Sequence, residues 1–171
     1  QYQPITVDTR GNVYFAGFMD EHWWSEPISP AIVPWTDGGY RDACVVKFET
    51  SIEIDIDIKP GSDPNSINLR NRGIIPVAVL TTSIAEGEPI NFDATQIDPA
   101  TVRFGPAGAY MVHESGHLED VDWDGDLDIV MQFRTRETGI ACGDVLADLV
   151  AVTIDGVAVT SSDAIRTVGC N

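Results

Sequence analysis

Five aspartates alternate through residues 120–128: Asp120, Asp122, Asp124, Asp126 and Asp128, with Gly125 between the third and the fourth. Carboxylates at positions 1, 3, 5 and 9 of such a run can converge on one hard cation, and glycine at position 6 permits the sharp turn that convergence requires. All-oxygen ligands select Ca²⁺, so a structural calcium ion is the cofactor expected here. Position 12 is Met131 where an EF-hand carries a bidentate glutamate, and a strand pattern follows where an EF-hand continues as a helix. The segment therefore reads as a calcium loop joining two strands, completed by Glu119, a backbone carbonyl or water. The competing reading is a solvated acidic turn that holds no ion.

His113, Glu114 and His117 spell HExxH just upstream. In zinc hydrolases that spelling works because a helix sets both histidines on one face and leaves the glutamate as general base. Gly105, Pro106, Gly108 and Gly116 leave no room for such a helix, so these residues are expected on the surface. There is no G-x-S-x-G elbow and no GxGxxG or GxxxxGK phosphate loop. No catalytic residue is assigned, and the chain reads as a non-enzyme. Trp23, Trp24 and Trp35 could form a platform for stacking sugars, or could simply cap an open apolar face.

The elements that must position these residues are strands. Residues 51–59 alternate strictly, with Ile52, Ile54, Ile56 and Ile58 on one face and Glu53, Asp55 and Asp57 on the other, the pattern of a half-buried strand. Leu127, Ile129, Met131 and Phe133 repeat it. Residues 74–80 are apolar on both faces, as a central strand requires. Asp155 and Gly156, between apolar residues 149–154 and 157–159, favour a type I′ hairpin turn. No stretch carries a helical period, and glycine and proline recur at strand-like intervals. The expected fold is all-β: an immunoglobulin-like β-sandwich over residues 51–171, preceded over residues 1–50 by an N-terminal arm and a small three-stranded β unit.

Composition narrows the partners. A net charge of -17 repels nucleic acid and anionic membranes, and the crowded carboxylates favour divalent cations. The longest apolar run is far below the ~20 residues that a membrane-spanning helix needs. The chain starts at Gln1, as it would after removal of a signal peptide or after truncation, and a secreted, cell-surface location is expected. Cys142 and Cys170 are expected to pair, leaving Cys44 as a buried thiol in an apolar strand.

Two resemblances cover most of the chain. Residues 5–50, with ITVDTRGNVYFAGF and GGYRDACVVKFE, resemble a single copy of the bacterial SBBP repeat, a β-propeller blade unit. Residues 54–170 resemble a domain of exported bacterial proteins through IDIKPGSDPNSINL, GIIPVAVLTT, DPATVRFGP, LEDVDWDGDLDIV, FRTRETGIACGD and IRTVGC. Neither resemblance implies an activity. One blade cannot close a propeller, and its open edges direct attention to Tyr2, Gln3, Pro4, Ile5, Thr6, Val7 and Asp8. This extended arm could be donated as a strand to the sandwich of another copy, giving a pilus-like filament by strand exchange. The alternatives are an arm that is disordered or packed on its own chain, and a calcium-stabilised module that binds glycan through the tryptophans.

Overall fold

The computed structural model describes residues 51–170 in full, together with the strands Ile5–Val7, Val13–Met19 and Asp42–Phe48. The chain divides into two compact units, Gln1–Ser51 and Ile52–Asn171. In the first, β1 (Ile5–Val7), β2 (Val13–Met19) and β3 (Asp42–Phe48) form an antiparallel sheet in that order. The three short strands read from the sequence are all present.

The second unit is a sandwich built from ten further strands: β4 (Ile52–Glu53), β5 (Ile56–Ile58), β6 (Ser66–Asn68), β7 (Ile74–Val79), β8 (Arg103–Phe104), β9 (His117–Glu119), β10 (Asp128–Arg134), β11 (Leu146–Val152), β12 (Ala158–Ala164) and β13 (Arg166–Val168). One sheet runs β5-β7-β10-β9 and the other β4-β12-β11-β8, while β6 and β13 pair separately. Taking β5, β7, β8, β9, β10, β11 and β12 as A to G, these orders are A-B-E-D and G-F-C, the two sheets of an immunoglobulin-type sandwich.

The alternating stretch at 51–59 is one strand by sequence and two in the structure. Its first part, β4, lies parallel to β12, whereas β5 lies antiparallel to β7. The transfer occurs between adjacent residues: the Ile54 N–H donates to Thr160 O at 3.0 Å, and the Asp55 carbonyl accepts from Leu80 N at 3.0 Å. Ile54, Ile56 and Ile58 are buried, while Ile52, before the crossover, is 41% exposed. One strand thus ties both sheets together at the edge.

Between the sheets lies a continuous core from Ile56, Ile58, Val77, Val79, Met131 and Phe133 on one side and Phe104, Ala147, Leu149, Ala151 and Val159 on the other. Phe104 and Phe133 meet across it with ring centroids 5.0 Å apart. Each fully buried large apolar side chain contributes about 1.5–3 kcal/mol. The central strand β7 buries Val77, Ala78 and Val79 in succession, which explains why its sequence is apolar on both faces.

The β11–β12 hairpin forms where Asp155 and Gly156 indicate, but its turn is not type I′. Only Gly156 is left-handed (φ 83°). The Gly156 N–H donates to Thr153 O at 2.7 Å and the Thr153 N–H to Val157 O at 2.8 Å. This is a three-residue loop ending in a left-handed glycine. Thr153 Oγ1 also accepts from Val157 N at 3.0 Å, and Ile154 N is drawn to Gln96 O at 2.8 Å, which takes Ile154 out of the ladder.

Candidate metal centre

Residues 120–127 connect β9 to β10, and Asp128 opens β10 opposite Glu119. The connection folds on its own carboxylates. Asp120 Oδ1 accepts from Trp123 N at 2.8 Å, Asp124 Oδ1 from Asp126 N at 2.8 Å, and Asp122 Oδ1 from Asp124 N at 3.4 Å. These short side-chain turns bend the backbone until Trp123 (φ 69°) and Gly125 (φ 103°) are both left-handed. Glycine takes that conformation freely, and tryptophan does so only under constraint. The Trp123 ring is left 88% exposed.

Two oxygens bound to one Ca²⁺ at about 2.4 Å can lie no more than about 4.8 Å apart. Asp120, Asp122 and Asp124 each place a carboxylate oxygen within 4.8 Å of the other two, and so do Glu86, Asp124 and Asp126. Asp124 belongs to both groups. The loop therefore gathers positions 1, 3 and 5, Asp120, Asp122 and Asp124, in one group, while Asp126 meets Asp124 in the other.

Asp128 has a different task. Its side chain is fully buried, with Oδ1 accepting from Thr81 N at 2.9 Å and Oδ2 from Val121 N at 2.8 Å. It joins neither group, and its oxygens hold the base of the loop to the segment after β7. Thr81 strengthens that junction: its hydroxyl donates to Leu127 O at 2.7 Å and accepts from Ala94 N at 3.1 Å. Position 9 of the aspartate run is thus a structural clamp here.

Glu86, which completes the second group, was not singled out from sequence. It ends a short 3₁₀ turn, Ile84–Glu86, capped by Ser83, whose Oγ accepts from Ala85 N at 3.2 Å, and closed by left-handed Gly87. Ser83 N donates to Glu88 Oε2 at 2.6 Å and Ile84 N to Asn91 Oδ1 at 2.8 Å, fixing the turn beside the aspartate loop. Glu119, the supplementary ligand considered from sequence, lies exposed in β9 and joins neither group. The only sequence signal for Glu86 is an exposed acid in a capped turn.

The electrostatics are those of crowded carboxylates. Desolvation, then repulsion from Asp124, Asp126, Glu88 and Asp122, raises Glu86 above the ordinary glutamate value. Asp122 is raised by desolvation and by Asp124 and Asp128, against an opposing backbone hydrogen bond from Asp124. Burial raises Asp128 despite the two N–H groups it accepts. A divalent cation would relieve all three.

The other candidates separate clearly. His113 and Glu114 lie in an irregular bend and His117 opens β9; all three are exposed. Among the described residues, no group of three His, Cys, Asp or Glu side chains close enough to share an ion includes either histidine. The helix that HExxH chemistry requires is absent from this segment. Cys142 and Cys170 form a disulfide with Cα atoms 5.7 Å apart across a separation of 28 residues, worth about 3–4 kcal/mol by loop entropy. Ile5, Thr6 and Val7 pair with Phe15, Tyr14 and Val13 of β2. That part of the expected donor arm is an edge strand of its own sheet and not a free extension, because β2 offers it a ladder at home. Tyr2, Gln3, Pro4, Asp8, Trp23, Trp24, Trp35 and the Cys44 side chain lie outside the described residues.

No helix of the described residues is long and apolar enough to cross a membrane. Comparisons with protein-family models, with curated proteins and with solved structures find no match to this chain.

Proposed function

We propose that this chain is an extracellular structural subunit whose sandwich is stiffened by Ca²⁺ and by the Cys142–Cys170 disulfide. The observation that carries the reading is the pair of carboxylate groups sharing Asp124, which brings Glu86 together with the 120–127 loop. Calcium bound there would tie the connection between β9 and β10 to the turn that follows β7, so that two long surface segments move as one. The effect is on rigidity and resistance to unfolding. The disulfide supports an oxidising compartment, where free calcium is plentiful.

Copies of the subunit would join by exchange of β1. This strand is an edge of its sheet and is held by a register of only three residue pairs, so little ladder is lost when it pairs with a neighbour instead. Such a contact is heterologous and repeats without closing, which is how a filament grows. Removing residues 1–8 tests this part: the shortened protein is expected to stay monomeric at concentrations where the full chain forms filaments in negative-stain images. Filaments from the shortened chain, or a full chain that stays monomeric throughout, would contradict it.

A further inference from the structure

Away from the acidic loop, a cleft of about 380 Å³ opens beside β8, with Pro99, Arg103, Tyr110, Met111, His113 and Glu114 among its lining residues. It includes the first half of the HExxH spelling, which has no metal partner. Its walls are held on firm backbone. Phe104 and Ala109 exchange backbone hydrogen bonds of 3.1 and 2.8 Å, and Val112 N donates to Gln132 O at 2.8 Å, so Tyr110 and Met111 are pinned between two anchors. The opposite wall is the capped turn Pro99–Thr101, where Asp98 accepts from Ala100 N at 3.1 Å. Arg103 Nη1 donates to Ala100 O at 3.1 Å and Val102 O at 2.7 Å, which sets its guanidinium 3.6 Å from the centroid of the Tyr110 ring. Tyr110 nevertheless remains 64% exposed.

We infer that this cleft binds a neutral pyranose unit of a glycan. A pyranose presents apolar C–H faces and a rim of hydroxyls, each both donor and acceptor. The cleft offers the complement: the part of the Tyr110 ring that Arg103 leaves exposed, with Met111 and Pro99, for the apolar face, and the Arg103 N–H groups not donated to Ala100 and Val102 as donors, Glu114 as acceptor and His113 as either for the rim. Its volume suits one or two sugar rings. A purely apolar ligand would cover the Glu114 carboxylate with no donor to meet it, and a polyanionic glycan would be repelled by a chain of net charge -17. Pinned walls reduce the ordering cost of binding. The inference is independent of the calcium proposal, because the cleft shares no residue with the carboxylate groups.

The test is amide NMR of the full chain, with calcium present, titrated with the methyl glycosides of glucose, galactose, mannose and N-acetylglucosamine. At least one probe should give saturable shifts centred on residues 99–114, in the millimolar range usual for single sugars. Tyr110→Ala should weaken that binding about tenfold, the equivalent of about 1.4 kcal/mol. Glu114→Gln, a conservative change at an exposed position, should weaken it less while leaving the spectrum of the free protein intact. No saturable shift with any probe, shifts confined to residues 120–127, or unchanged affinity in both variants would overturn the inference.

Discussion

Two metal spellings stand on either side of β9, and only one of them gathers its side chains. Before the strand, His113, Glu114 and His117 carry the letters of a zinc site on a bend and a strand start, where residues four apart are not stacked on successive turns as a helix stacks them. After the strand, the aspartate run makes its own scaffold: its carboxylates accept N–H groups two and three residues ahead and curl the chain until Asp120, Asp122 and Asp124 approach one another and Asp126 approaches Asp124. A ligand motif is a statement about backbone as much as about residue type. The HExxH spelling depends on a helix supplied by the rest of the protein, whereas an Asp-x-Asp-x-Asp-Gly loop carries its turn chemistry within itself.

The contrast is broken most forcefully at Asp128. Replacing it with alanine strands the N–H groups of Thr81 and Val121, and the expected loss is about 2–4 kcal/mol in urea denaturation, with or without calcium. A loss seen only when calcium is present would make Asp128 a ligand and not a clamp. Next in size, calcium at a hundredfold excess over its dissociation constant should add about 2.7 kcal/mol to unfolding stability. Glu86→Gln should reduce that increment without destabilising the calcium-free protein, because it also removes a repelled charge.

The pH dependence sharpens the same comparison. Asp57, Glu86, Asp122 and Asp128 all have raised pKa values in the folded chain, led in each case by desolvation. Each then holds its proton to a higher pH folded than unfolded. Its contribution is fully present below the ordinary carboxylate value and is lost as pH rises through the raised one. Asp93, lowered by its hydrogen bonds to Thr95, works in the opposite sense. With four groups against one among the described residues, calcium-free protein should gain stability as pH falls from neutrality toward the carboxylate range, and calcium should reverse the trend. Thermal melts in chelator and in calcium check this, and equal slopes would contradict it. The smallest effect is expected from His113→Ala and His117→Ala, each within about 0.5 kcal/mol of the parent protein, with no change on adding zinc.

How much of this was legible in the sequence depended on how local the cause was. The aspartate loop was readable because its folding code is contained within eight residues, and the core strands were readable from the burial of Ile54, Ile56, Ile58, Ile129, Met131 and Phe133. Three features were not. The crossover at Ile54 and Asp55 leaves the alternation unbroken, so nothing in the pattern marks the change of sheet. The Asp155–Gly156 turn was decided by the Thr153 hydroxyl and by a distant carbonyl of Gln96. Glu86 reaches the site only because β7 and β10 are neighbours, a pairing no local spacing records.

The central claim is tested most directly by calorimetric titration of chelator-stripped full-length protein with Ca²⁺, alongside Asp124→Asn. Asp124 is the residue common to both carboxylate groups, so the account predicts saturable binding by the parent chain and its loss in the variant, with the calcium-dependent rise in melting temperature lost as well. Saturable binding that survives Asp124→Asn, or a parent chain that takes up no calcium beyond what general charge screening produces with Mg²⁺, would contradict it.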